Sequence, residues 1–100
     1  MDDFDFAETY EGKRNRAMLC MLYSTGVRAA ELISLDVSDV DTANAVLSVV
    51  GKRNKQRNIP MIPELAEEMR TYLEEREKFL EGKEETQALF LGSKSGRRIR

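Results

Sequence analysis

The chain has 100 residues, of which 34% are charged, with one cysteine and no histidine or tryptophan. This length is enough for one domain with its own hydrophobic core. The absence of histidine excludes a Ser-His or Cys-His catalytic pair, a histidine metal site and an imidazole base, and we expect no metal site. A single cysteine, Cys20, excludes an internal disulfide. No signal peptide or long apolar run is present, which predicts a soluble, cytoplasmic chain without a membrane segment.

The formal net charge of −2 hides a division of the chain into blocks of opposite charge. Residues 1–12 and 61–85 each carry a net charge of −5, whereas residues 13–60 and 86–100 each carry +4. A protein with its bases collected in two blocks can present a basic face suited to a phosphate backbone. The simpler alternative is that these charges are solvated surface.

The first half of the chain predicts two helices and the start of a hairpin. Residues 1–11 are acidic and are interpreted as a leader or linker. A helix is predicted over about 9–24, buried nearly all round in its second half, where Cys20 and Tyr23 would join the core. Gly26 ends this helix, and a short second helix should follow over about 27–35. Residues 39–44 are rich in turn formers.

The second half predicts a β-hairpin and a long helix. Val46 to Val50 indicates a strand, and Ile59 and Met61 indicate its partner, with Pro60 at an edge. Pro63 opens an amphipathic helix that ends near Gly82, its acidic side turned to solvent. The apolar stripe of this helix consists of Leu65, Met69, Tyr72, Leu73, Arg76 and Leu80.

A short apolar segment over 88–91 and a possible edge strand over 97–100 follow. Together these elements predict an α+β fold, mostly helical, with a small antiparallel β-sheet made of the hairpin and a short third strand.

The junction of the first two helices is the first segment that points to chemistry. Gly26 allows a tight turn, and Arg28 then stands at the start of the second helix, where free N–H groups already favour anions. Glu31 lies one helical turn further on and can hold the Arg28 side chain in place. An arginine held in this way suits a phosphate, although the pair could also be an ordinary surface ion pair.

The hairpin tip is the second such segment. Lys52, Arg53, Lys55 and Arg57 follow Gly51 within seven residues and could lie along a nucleic-acid backbone. A lysine among other cations can have a lowered pKa and so serve as a general acid.

These two segments, taken together, resemble a known family. Thr25-Gly-Val-Arg-Ala-Ala-Glu-Leu32, followed by Leu35-Asp-Val-Ser-Asp-Val-Asp41, resembles the first arginine box of tyrosine recombinases, the phage-integrase and Xer-like family. Gly51-Lys-Arg-Asn-Lys-Gln-Arg-Asn-Ile-Pro60 is similar to that family's β-hairpin with its catalytic lysine. The helix after Pro63 and the segment Leu89-Phe-Leu-Gly-Ser-Lys-Ser-Gly96 follow in the family's order, so the resemblance covers roughly residues 12–100.

The resemblance implies site-specific DNA recombination or integration, by strand cleavage and rejoining through a phosphotyrosine, on a DNA breaking-rejoining fold and without a cofactor. It implies that Arg28 binds the reacting phosphate, with Glu31 as its brace. Lys52 would protonate the leaving 5′ oxygen, with Lys55 as the competing candidate. The partners implied are double-stranded DNA and other recombinase protomers. The expected contacts to the DNA backbone are Arg53, Lys55, Arg57, Lys94 and Arg97.

Part of the family's active site has no counterpart here. The His-x-x-Arg box, a later His or Trp and the nucleophilic tyrosine are missing, and Tyr10, Tyr23 and Tyr72 do not match the nucleophile's position. We therefore interpret residues 12–100 as the N-terminal half of a catalytic domain, a fragment expected to be inactive alone and able to dimerise through exposed core. The alternatives are a short non-catalytic module that binds DNA or a recombinase, and a helical interaction protein.

Overall fold

The computed structural model describes residues 9–99, except for the side chain of Lys52. Most of the predicted acidic leader, and Arg100 of the predicted edge strand, lie outside these residues. The first helix begins at Tyr10, so the last two residues assigned to the leader are helical.

Three helices and a three-stranded sheet make up the described fold. The helices are α1 (Tyr10–Thr25), α2 (Ala29–Ile33) and α3 (Pro63–Phe79), and the strands are β1 (Val40–Asp41), β2 (Val46–Val50) and β3 (Gln56–Pro60). The sheet is antiparallel in the order β1-β2-β3, which confirms the α+β class with a hairpin and a short third strand. No described helix has the combined length and apolar character that crossing a membrane requires.

The third strand comes from a different segment than the sequence indicated. Val40–Asp41 pairs with β2 just before the hairpin, in a region predicted to be a turn. Residues 97–99 instead make a single antiparallel bridge, between Arg98 and Leu91, and lie outside the sheet. Short bridging segments have little periodicity of their own, so their pairing depends on which neighbours the fold supplies.

Helix α1 is capped at both ends, and its C-terminal glycine is the cap that we predicted. The Thr9 hydroxyl accepts the Gly12 N–H at 3.1 Å. At the other end Gly26 has a φ of 72°, and its N–H donates to the Leu22 carbonyl at 3.1 Å. This left-handed conformation favours glycine, and it turns the chain directly into α2.

The prediction that the second half of α1 is buried nearly all round is wrong. Ala17 and Met21 are fully buried in the core, but Tyr23 is 78% exposed and Cys20 only partly buried. The helix packs on α3 through one face, so the neighbouring apolar residues of the same run turn outward.

The hairpin places its residues on two distinct faces. Leu47 and Val49 of β2 are buried against the helices, and the register sets Arg57 of β3 opposite Val49 on that same inner face. Pro60 lies in the edge strand β3, where its missing N–H costs no sheet hydrogen bond, as predicted.

The segment 88–91 runs through the core and is held by side chains from α1 and α3. Tyr72, 1% exposed as its place on the stripe predicted, donates its hydroxyl hydrogen to the Leu89 carbonyl at 2.6 Å. Arg76 donates to the Ala88 carbonyl at 2.8 and 3.0 Å, and Arg14 donates to the Leu91 carbonyl at 2.9 Å. These bonds satisfy carbonyl groups that no helix or sheet pairs.

The acidic side of α3 is not turned wholly to solvent. Glu75 pairs with Lys13 of α1 at 3.0 Å, and Glu68 pairs with Arg16 of α1 at 3.1 Å. Helices α1 and α3 are therefore joined by ion pairs along the rim of their packed face.

Candidate active site

Arg28 stands at the N-terminus of α2, in the position that its sequence context predicts. Its backbone is extended, with φ −80° and ψ 155°, so it is the residue that precedes the first helical turn. Arg28 is an exposed residue.

Glu31 contacts Arg28 through the main chain. Its Oε1 accepts the Arg28 backbone N–H at 3.0 Å, which is one half of a capping box. We predicted a side-chain contact between these two residues, and the hydrogen bond that the structure has is to the backbone instead. Glu31 therefore stabilises the N-terminus of the helix from which Arg28 projects.

Glu31 also joins α2 to the hairpin. The Arg57 guanidinium donates from Nη2 to both carboxylate oxygens of Glu31, at 3.2 and 3.3 Å. The hairpin backbone approaches as well, since a Cβ placed on Gly51 would lie 3.0 Å from Glu31 Oε2. The segment that carries Arg28 and Glu31 therefore meets the hairpin at the Glu31 carboxylate, although Glu31 and Arg57 are 26 residues apart in the sequence.

The surroundings of Glu31 favour its ionised form. The hydrogen bond from the Arg28 N–H lowers the pKa of the Glu31 carboxyl most. Desolvation is the next largest effect and raises this pKa, whereas the Arg57 charge, the Arg57 hydrogen bond and the Arg28 charge each lower it, so that the pKa stays below its ordinary value. The carboxylate is thus kept charged between two arginines.

The hairpin tip is a tight turn. The Gly51 N–H donates to the Lys55 carbonyl at 3.0 Å, and the intervening Lys52–Asn54 form a 3₁₀ turn. Arg53 and Asn54 have φ values of 61° and 56°, which makes the turn compact. Arg53 and Lys55 are exposed at this tip, and the main chain of Lys52 starts the turn next to Gly51. The side chain of Lys52, our predicted general acid, lies outside the described part of the molecule.

Lys94 and Arg97 lie elsewhere on the molecule. Both are exposed on the loop 92–97, which closes through a hydrogen bond from the Gly92 N–H to the Arg97 carbonyl at 2.7 Å. This loop packs near the end of α3, where a Cβ on Gly96 would be 3.1 Å from Lys83 Cδ. Lys94 and Arg97 form a second basic group, on an exposed loop near the end of α3.

The sequence did not predict that three arginines would hold segments of the fold together through hydrogen bonds to carbonyl groups. Arg14 and Arg76 are the two charged residues buried among those described, and Arg98 ties the end of α2 to the C-terminal segment. Arg98 donates to the Ile33 and Leu35 carbonyls at 3.0 and 2.9 Å and pairs with Asp36. The place of Arg76 on the apolar stripe of α3 was the one available signal for burial.

Two of the three tyrosines are held in the core. The hydroxyls of Tyr10 and Tyr72 lie 2.7 Å apart, and the Leu91 N–H donates to Tyr10 at 3.1 Å. Burial is the largest cause of the raised pKa of both phenols. A phenol that resists ionisation in a closed hydrogen-bond chain is poorly suited to act as a nucleophile.

Comparison with solved structures places this fold among recombinases. The crystal structure of the XerA recombinase superposes with a TM-score of 0.76 and 28% sequence identity, over 88% of this chain and 31% of that protein. The XerH site-specific recombinase bound to its difH substrate, in a pre-cleavage complex, gives a TM-score of 0.78 at 24% identity over 99% of this chain and 28% of that protein. At 24% identity, the similarity to XerH shows a shared fold and nothing more.

Curated proteins of similar sequence are tyrosine recombinases as well. Tyrosine recombinase XerC of Bifidobacterium longum (strain DJO10A) is 40% identical over 96 residues, and XerC of Mycobacterium leprae (strain TN) is 43% identical over 86 residues. These matches span 89% and 86% of this chain but only 27% and 29% of the two relatives. The model of the phage integrase family matches residues 4–100. The chain therefore belongs to the phage integrase family, whose members include the tyrosine recombinases that it resembles.

Proposed function

We propose that this chain supplies the arginine and the lysine of the first half of a tyrosine recombinase active site. In this proposal Arg28 binds the reacting phosphate of a DNA strand, and Lys52 protonates the 5′ oxygen that leaves. The full reaction, site-specific cleavage and rejoining of DNA through a phosphotyrosine, requires groups that these 100 residues do not contain, because they include no histidine.

The chemistry accounts for the choice of residues. When a tyrosine attacks a phosphodiester, negative charge gathers on the non-bridging oxygens, and a planar guanidinium can bind two of them at once. The oxygen that leaves the phosphorus needs a proton, which a lysine beside other cations can supply. The bond energy is kept in the phosphotyrosine, so no cofactor is required.

The observation that carries the proposal is the meeting of the two segments at Glu31. This carboxylate accepts the Arg28 N–H and the Arg57 guanidinium and lies against Gly51, the residue before Lys52. Two segments that were suggestive separately are thus adjacent in space. Their adjacency is what a shared phosphate site requires.

The exposed bases of the hairpin tip extend the site along DNA. In this proposal Arg53 and Lys55, which are exposed at the hairpin tip, contact neighbouring phosphates, and the loop with Lys94 and Arg97 contacts the backbone separately. Such contacts carry affinity and not sequence information. Affinity for double-stranded DNA should therefore fall steeply with salt.

Salt-dependent binding of the chain to a short DNA duplex tests this proposal. We expect Arg53→Gln and Lys55→Gln each to reduce the slope of log K against log salt by about 1. Lys78→Gln, a matched loss of one charge from a 72% exposed side chain on α3, should leave the slope unchanged. The proposal fails if the chain does not bind DNA at low salt.

Cleavage is a separate measurement. On a nicked suicide substrate we expect no covalent adduct with the chain alone, since Tyr72 is buried, the Tyr10 hydroxyl is bonded to it, and Tyr23 precedes Arg28. A covalent adduct would show that the chain has its own nucleophile.

The second candidate is a module that binds DNA or a recombinase without cutting. It shares the exposed basic tip and predicts the same salt slopes. It differs in predicting that Arg28→Lys, which keeps the charge but loses the planar fork, binds as well as the original chain.

Association with further protomers is also proposed, and sedimentation of the chain at rising concentration tests it.

A further inference from the structure

Arg57 differs from the other bases of the hairpin in that its guanidinium is paired with a carboxylate. Arg53 and Lys55 are exposed at the turn, whereas the sheet register sets Arg57 opposite the buried Val49, on the inner face of the sheet. Its side chain is half exposed, and its Nη2 is occupied by both oxygens of Glu31. A guanidinium that is already paired with a carboxylate is less available to bind a DNA phosphate.

We propose that Arg57 is a positioning residue, which holds the lysine hairpin against the N-terminus of α2 through Glu31. It replaces our expectation that Arg57 contacts the DNA backbone. The inference depends on the proposed function only for the purpose of the arrangement, namely that Arg28 and Lys52 act on one phosphate.

Glu31 is suited to receive this contact because its own position is already determined. Its Oε1 is fixed by the Arg28 N–H at 3.0 Å, and the side chain is only 12% exposed. A carboxylate anchored at a helix N-terminus loses little further freedom when a guanidinium joins it. The Glu31–Arg57 pair therefore fixes the hairpin relative to α2, because the Glu31 side chain is not free to move with the arginine.

Gly51 completes the arrangement from the hairpin side. Since a Cβ at this position would lie 3.0 Å from Glu31 Oε2 and 3.8 Å from Arg57 Nη1, glycine allows the hairpin backbone to approach the ion pair. Gly51 and Lys55 also close the turn that carries Lys52. Arg57, Glu31 and Gly51 therefore form one contact, which sets where the turn lies relative to Arg28.

The test uses the 100-residue chain in solution without DNA. NMR titration follows the Glu31 carboxyl, whose pKa the Arg57 charge helps to keep below 4.5. In Arg57→Gln we expect this pKa to rise while staying below 4.5, because the Arg28 N–H bond remains. Arg57→Lys should restore part of the shift. Lys55→Gln removes an equal charge from the tip and should change the Glu31 pKa less than Arg57→Gln does.

Hydrogen exchange reports the positioning itself. We expect the Gly51 amide, which donates to the Lys55 carbonyl, to exchange about two- to fivefold faster in Arg57→Gln, with the amides of α3 unchanged as evidence of an intact fold. Gly51→Ala, which crowds Glu31 without removing a charge, should also raise the Glu31 pKa. An unchanged Glu31 pKa in Arg57→Gln, or an unchanged Gly51 exchange rate, would overturn the inference. Failure of DNA binding would leave both measurements intact and would count against the proposed function alone.

Discussion

Replacing Arg76 by methionine tests whether a buried arginine holds the C-terminal segment in place. Arg76 is 3% exposed and lies on the apolar stripe of α3. Its guanidinium donates to the Ala88 carbonyl from two nitrogens and to the Thr86 carbonyl at 2.6 Å. Methionine has a similar length and would fill much of the same volume without offering a donor.

The expected loss of stability follows from the groups left behind. Ala88 is 2% exposed, so its carbonyl loses its partner in a place that water hardly reaches, at a cost of about 1–3 kcal/mol. The bonds from a charged donor add to this cost, whereas the relief of a desolvated charge offsets part of it. Thr86 is only partly buried, and water can replace its bond. We expect Arg76→Met to reduce the free energy of unfolding by about 2–4 kcal/mol.

Urea unfolding followed by circular dichroism measures this effect. A loss of this size should lower the urea midpoint by about 1–2 M. Lys78→Met on the same helix is the matched control, because its 72% exposed side chain makes one long ion pair with Glu75, at 3.6 Å. If Arg76→Met came within about 0.5 kcal/mol of Lys78→Met, Arg76 would be packing and not an anchor.

Three further predictions address alkaline stability, the end of α1 and the exposed face of α1. Because burial raises the pKa of Tyr10 and Tyr72 above 10.0, stability should be complete below about pH 10 and fall as the pH rises above it, and urea midpoints should show a shallower fall in Tyr72→Phe. Gly26→Ala should cost about 1–2 kcal/mol in the same assay, since its φ is 72° and no atom lies near enough for a steric cost to add to the strain. Tyr23→Ser should change the unfolding free energy by less than about 0.5 kcal/mol, and a larger loss would mean that this residue is covered in solution.

Local features of the sequence determined the helices and the candidate residues. Gly26 at the end of α1 and Pro63 at the first position of α3 act within one helical turn, so spacing alone predicts them. The same holds for Arg28 at a helix start, and for the basic turn between two strands. Each depends on neighbours in the chain and not on the fold.

The tertiary structure alone decided which of these side chains meet. Glu31 was predicted to hold the Arg28 side chain, but the fold brings Arg57 to it from 26 residues away. Tyr23 belongs to an apolar run, yet its exposure depends on which face of α1 packs against α3. The burial of Arg76 likewise depends on residues 86–88, whose carbonyl groups accept its hydrogen bonds. Contacts between distant segments depend on strand register and helix packing, which local residue patterns do not specify.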